Sequence, residues 1–280
     1  MKTLRCSAAS GLFANERHLF VVADDEVTLE VYDRVSLELV RTVNLVDEVL
    51  SDEPHERKRG KPDFESITAL PDGRLLVLGS GSTPRRRRGV TLCSALEPVV
   101  IDFGPLFAAL SDALPDLNLE GAAVSGDRLL VFQRGNGAAG RNALISLDLA
   151  GVLSAIDTST PVPASVLMGI QTVDLGALDG VPLGFTDAFA LSDGQVLYSA
   201  AAEDGGSTFF DGACKGCVLG LLDAQGTVIW QARLDVPYKI EGLWAGPSAA
   251  GPWEIFLVAD PDDRTVFAPL HHLPFSVVIR

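Results

Sequence analysis

Five copies of one short pattern set the architecture of this chain. The clearest copy runs from Phe64-Glu65-Ser66-Ile67-Thr68-Ala69-Leu70 through Pro71-Asp72-Gly73 into Arg74-Leu75-Leu76-Val77-Leu78-Gly79. It reads as a strand opened by a carboxylate, a tight turn and a second apolar strand. Related copies occupy residues 119–132, 186–198, 240–258 and 9–23. The acid position is held by Glu65, Glu120, Asp187 and Glu241, and by Ser10 in the copy nearest the start. In chain order, from Ser10 to Glu241, these positions are 55, 55, 67 and 54 residues apart. A repeat of that length with several strands per unit predicts an all-β fold, a single β-propeller over residues 1–280. Five four-stranded blades fit best, with six blades as the alternative. Such repeats cannot bury both faces alone and must pack in a ring. A β-sandwich of unrelated hairpins would leave the period unexplained.

The outer strands of each repeat are expected at residues 28–33 and 39–45, 89–95 and 98–103, 142–149 and 165–175, 217–223 and 228–234, and 265–270 and 275–280. These runs are rich in β-branched and aromatic residues and bounded by Gly, Pro or Asp. Residues 51–63 read as a charged connection, 105–114 as a short crossing helix, and 151–166 as a surface loop rich in Ser, Thr and Pro. Residues 1–6 either add an edge strand to the last blade or lead in to the first.

The net charge of −15 argues against nonspecific binding to nucleic acid. No apolar run is long enough to span a membrane as a helix. The first residues lack the apolar core of a signal peptide, so a cytoplasmic location and a monomer are expected. Four cysteines are too few for a disulfide scaffold. Cys214-Lys215-Gly216-Cys217 is a CxxC, readable as a redox pair, half a zinc site, or two thiols flanking a turn. Cys6 and Cys93 read as buried small hydrophobes.

In a propeller the acid positions converge on one mouth of the central channel, and the loops joining second to third strands surround them. Carboxylates brought together raise one another's pKa unless a cation joins them. A hard divalent cation, calcium foremost, would suit Glu65, Glu120, Asp187 and Glu241, with Ser10 and carbonyl groups completing an oxygen shell. The other reading is a structural ring, each carboxylate accepting backbone amides of the neighbouring blade. A small anionic ligand is expected on Ser10, Arg85, Arg86, Arg134, Arg141 and Lys239, Arg being suited to two-point contact with phosphate or carboxylate. Pairing of these bases with nearby acids is the simpler alternative. There is no Gly-x-Ser-x-Gly elbow, P-loop or His-Glu-x-x-His, and none of the four histidines holds an acid position. Hydrolysis would therefore depend on metal and carboxylates.

The Glu-Ser or Glu-Gly opening, the Pro-Asp-Gly turn and the Arg-Leu-Leu-Val strand at 64–79, 119–136 and 240–244 resemble the phytase-like esterase propellers. More loosely they resemble gluconolactonase-like and strictosidine-synthase-like propellers. That resemblance implies calcium at the channel mouth, on Glu65, Glu120, Asp187 and Glu241. It also implies phosphate esters or lactones as substrates. Those families commonly have six blades, where this chain shows five repeats, and no catalytic histidine matches. A hydrolase of a small anionic ester or lactone is thus one expectation, and a noncatalytic propeller binding a protein or ligand at the same face is the other.

Overall fold

A computed structural model describes residues 2–136, 140–191, 193–204, 213–248 and 251–274. Its five sheets form a ring of five blades, which sets aside both the sandwich and the sixth blade. The first blade is Ala9–Ala14, His18–Ala23, Thr28–Asp33 and Leu39–Asn44. The second is Phe64–Ala69, Leu75–Gly79, Arg88–Leu92 and Pro98–Asp102, and the third Leu119–Ser125, Arg128–Gln133, Ala143–Asp148 and Leu167–Thr172. The fourth is Val181–Ala190, Val196–Asp204, Ala213–Leu222 and Val228–Leu234, with a small extra strand, Ala177–Leu178, on its inner edge. Each of these four blades is an antiparallel meander from the channel outward.

The repeated turn has a local cause. Leu70 N–H donates to Arg74 O at 2.8 Å, and Gly73 N–H to Leu70 O at 3.0 Å. Gly73 takes φ 86°, a conformation that a side chain would strain. The same pair of bonds recurs at Leu191 and Gly194.

The last blade departs from expectation. Its third strand is Pro269–Pro274 and not residues 265–270, and its fourth is Lys2–Thr3 from the other end of the chain. Lys2 pairs with Leu270 and Thr3 with Pro269. Leu4 N–H donates to Ala268 O and Ala268 N–H to Cys6 O, both at 2.8 Å. The expected strand at 275–280 lies outside the described residues.

Five apolar clusters of the described residues lie between neighbouring blades, one at each interface. The cluster between blades two and three is the largest because two helices cover it. One is Gly104–Ala113, where a helix was expected. The other, Leu149–Asp157, replaces the expected surface loop. Leu149, Val152, Leu153 and Ile156 recur at helical spacing, and Asp148 caps the first turn by accepting from Gly151 N–H. Apart from Ser154, the Ser, Thr and Pro that suggested a loop begin only where this helix ends. A third helix, Pro54–Gly60, sits inside the charged connection and is capped by Glu53. No helix of the described residues is long and apolar enough to cross a membrane.

Ring closure by the first strand makes a direct prediction. Leu4 is 2% exposed, whereas Val35 is 83% exposed. Leu4→Ala should lower unfolding stability by about 2–4 kcal/mol in denaturant titration, and Val35→Ala should leave it within about 0.5 kcal/mol. A Leu4→Ala protein as stable as the parent would show that this segment does not close the ring.

Candidate functional site

Each innermost strand carries a β-bulge at the same height. The ladder slips between Ala9 and Gly11, Phe64 and Ser66, Leu119 and Gly121, Phe185 and Asp187, and Ile240 and Gly242. The residues left out of pairing are therefore Ser10, Glu65, Glu120, Thr186 and Glu241. A bulge re-aims a side chain, and here the polar residue follows an apolar one, large in every blade but the first where it is Ala9, and precedes a small one or Asp187. In the fourth blade the acid position thus belongs to Thr186, one residue before the expected Asp187. Thr186 Oγ1 donates to Ser199 Oγ at 2.8 Å. Asp187 does not line the mouth. Its two oxygens accept from Ala188 N–H and Leu243 N–H, both at 2.7 Å, so it fastens blade four to blade five.

Ser10, Glu65, Glu120 and Glu241 do meet at one mouth, around a cavity of about 60 Å³. Ser10 Oγ donates to Phe64 O at 2.6 Å, a bond between blades. The cavity wall also includes Asp24, Asp63 and Asp260, and the bases Lys58, Lys61, Arg86, Arg134 and Lys239. Of the expected anion-binding residues, Arg86, Arg134 and Lys239 belong to this wall. Arg85 is half exposed and pairs with Glu48 at 2.8 Å, and Arg141 is exposed. Neither of these two lines the mouth.

The charges form two groups. In the first, Lys61 Nζ contacts Asp24, and Asp63 at 2.9 Å, while Arg86 Nη1 reaches Asp63 at 2.8 Å. Ligand oxygens of Asp24, Asp63 and Glu65 all lie within 4.8 Å of one another. Burial alone would discharge the Lys61 ammonium, but Asp24, Asp63 and Glu65 outweigh it and hold the charge. Burial also works against ionised Asp63, yet Lys61 and Arg86 keep its pKa low.

In the second group Arg134 bridges three carboxylates: Glu203 at 2.6 Å, and Glu120 and Glu241 at 3.4 Å each. Lys239 Nζ adds Glu241 at 3.0 Å, Glu203 at 3.1 Å and Asp262 at 3.2 Å. Arg134 crosses the fourth blade only because residue 184 is glycine, since a Cβ there would lie 3.0 Å from Arg134 Cγ.

The compensation is incomplete. Burial, and then repulsion from Glu120, pushes the Glu65 carboxyl well up. Burial raises Glu120 to about 8 despite Arg134, and raises Glu241 despite Lys239 and Arg134. Asp260, at the outer wall, is likewise raised to about 8 by burial. Two buried acceptors at the cavity, Glu241 Oε2 and Asn136 Oδ1, have no hydrogen-bond partner among the described residues. Of the expected calcium ligands, among the described residues only Glu65 belongs to a group of acids close enough to share an ion. Its companions are Asp24 and Asp63, both already paired with Lys61. Three carboxylates suit a hard cation such as calcium, while Glu120 and Glu241 pair with Arg134 and Lys239.

A second cavity of about 420 Å³ opens outward from the first and shares Ala8, Asp24, Lys58, Lys61 and Asp260 with it. Arg57, Asp25, Asp262, Asp263 and Arg264 complete most of its wall. Sequence reasoning missed Lys61, Asp63, Asn118, Glu203 and Asp260 as a set. One signal was available: two residues before each bulge stand Asp63, Asn118 and Lys239, on the same face of their strands.

A search of curated proteins finds no match to the chain. Among solved structures, the ring is similar to glutaminyl cyclase of Myxococcus xanthus, with 12% identity, a TM-score of 0.53 and 97% of each chain covered. It is also similar to a luciferin-regenerating enzyme, with 10% identity, a TM-score of 0.50, and 96% of this chain and 92% of the other covered. At these identities the likeness is one of fold, a β-propeller. The resemblance to phytase-like esterases gains no support from the family comparison. The model that matches, over residues 5–273, is that of a family of unknown function, DUF6929, and the chain belongs to that family.

Proposed function

We propose that the mouth is the active site of a hydrolase acting on a small anionic ester, a phosphate ester or a lactone, with a divalent cation, calcium foremost. One observation carries this reading: ligand oxygens of Asp24, Asp63 and Glu65 lie within 4.8 Å of one another on the wall of the small cavity, where Glu241 Oε2 also has no hydrogen-bond partner among the described residues. Glu65, with Asp24 and Asp63, would hold the cation. Bound there, it would supply Lewis-acid polarisation and an activated water.

The chain's own residues supply the rest. The inner cavity has room for an ion with a few waters, since one water needs about 10–15 Å³. The body of a substrate belongs in the 420 Å³ outer cavity. Lys58 and Lys61 line both cavities, so an anionic group reaching inward passes two ammonium groups. Asp260 lines both as well, and its carboxyl, neutral up to about pH 8, can donate a proton to a leaving oxygen. Arg134 and Lys239 fix the positions of Glu120 and Glu241.

Binding without turnover is the second reading, favoured by the ion pairs that already join most of the lining acids and bases. Hydrolysis assays on phosphate-ester and lactone panels, with chelator and with added calcium, separate the two. Turnover on none of them under either condition would overturn the hydrolase.

Thermal melting tests the cation. After chelation, calcium at about 100 times its Kd should add about 2.7 kcal/mol to stability. Glu65→Gln should diminish that gain, and Arg85→Ala should not. A melting point unmoved by calcium, magnesium and manganese would remove the cation from the mouth.

Asp260 carries a pH signature. Its pKa rises on folding from an ordinary value near 4 to about 8, so the folded state holds the proton more tightly. The stabilising contribution is complete below about pH 4 and is lost as pH rises through 8. Relative to Asp260→Asn, the parent should therefore lose stability across that window and level off above it. With the right substrate, Asp260→Asn should lower kcat by about 100-fold or more and abolish the decline above pH 8. A parallel pair of stability profiles would show that Asp260 is not raised.

A further inference from the structure

Cys214 and Cys217 lie on the third strand of the fourth blade, Ala213–Leu222. Three residues apart on a regular strand, they would face opposite sides. The ladder is not regular there. Glu203 pairs with Cys214, Ala202 with Gly216 and Ala201 with Cys217, which leaves Lys215 out of the pairing. The bulge places the two cysteines opposite residues two apart on the neighbouring strand, and so on one face. Gly216 at φ 140° permits the turn of the backbone.

Cys217 S–H donates to Tyr238 O at 3.8 Å. Two strand residues span about 6.7 Å, at the outer edge of the Cα separation that a disulfide bridges. The cysteines are unequal. Cys214 is half-buried, while Cys217 is fully buried and its sulfur accepts from Ile240 N–H at 3.3 Å. The neighbouring Cys217 thiol lowers the Cys214 pKa to about 7, while Cys214 and burial raise that of Cys217. Among the described residues the group of acids, thiols and imidazoles that could share an ion is Asp24, Asp63 and Glu65, so this pair lacks the further ligands of a zinc site.

We propose that Cys214 and Cys217 form a redox-active dithiol that low-molecular-weight disulfides oxidise to an intramolecular disulfide. The Cys214 thiolate attacks one sulfur of the small disulfide and expels one thiolate, forming a mixed disulfide. Cys217 then gives up its proton, attacks Cys214 Sγ and expels the second thiolate. The protein loses two protons and two electrons, and the small disulfide is reduced to two thiols. The bond would form beside the mouth. Cys214 faces Glu203, which holds both Arg134 and Lys239, and Ile240 lies between Lys239 and Glu241.

The test uses the full chain, fully reduced and then equilibrated in buffers of reduced and oxidised glutathione. Samples are acid-quenched, alkylated and mapped by peptide mass. A disulfide joining 214 to 217 is expected, with Cys93, the other half-buried cysteine, left free. In Cys217→Ala the reaction should stop at a mixed disulfide on Cys214. The pH midpoint of Cys214 alkylation, with Glu203 and Lys239 in place around it, should also move up by a unit or more from about 7. Cys214→Ser should form neither species, and as the less buried change it guards against a misfolded Cys217→Ala. A mixed disulfide on the parent that never closes, or a Cys93 that reacts as readily as Cys214, would overturn the proposal. None of these readouts depends on turnover at the mouth.

Discussion

The ring depends on how closely its five innermost strands approach one another. Just after the bulge, a Cβ on Gly11 would lie 3.0 Å from Ser66 Cα, and one on Gly121 would lie 2.9 Å from Ala188 N. A Cβ on Gly242 would lie 3.0 Å from Leu12 N. Backbone therefore meets backbone at these interfaces, and only a small residue fits. Asp187 follows the same logic differently, filling its interface with a carboxylate that caps two amides. This contact explains why polar residue and small residue travel together. The bulge lifts the first out of the ladder toward the channel, and the approach of the next blade restricts the second.

From that constraint the electrostatics follow. Bulged side chains of successive blades converge at one mouth, and three of them are glutamates. Buried carboxylates this close are costly unless cations join them. The chain brings its own: Lys61 from a connection between blades, Lys239 from an innermost strand and Arg134 from just beyond a second strand. Glycine at position 184 lets that arginine cross the fourth blade. The mouth is therefore a mixed-charge site whose remaining acceptors, not its net charge, mark where a ligand would bind.

Much of this was legible in the sequence. The period, the Pro-Asp-Gly turns and the apolar second strands pointed to five blades, and Glu65, Glu120 and Glu241 were placed at one mouth. The slip at Asp187 arose from aligning carboxylates. Aligning the large apolar residue, Phe185 with Phe64, gives Thr186 and evens the spacing around it to 66 and 55. The helix at Leu149–Asp157 was hidden because its Asp148 cap belongs to a strand and its apolar face continues that strand's pattern. The pairing of Arg134 with Glu203 was harder. Arg134 was expected at the mouth, but each residue lies at the end of a second strand, outside the repeated motif, and only the ring's closure across blades brings them together.

Pairing of Lys2–Thr3 with Pro269–Pro274 also bears on how the chain is made. Synthesis runs from the amino terminus, so residues 2–6 emerge long before their partners. Until the last blade is complete, the first blade has no neighbour on one side, and Leu4 has nowhere to bury. The ring thus acts as a check on completeness. A ribosome-bound fragment with four finished blades keeps an open apolar flank on blade one, closed only when the last blade folds against it and Leu4 is buried between them.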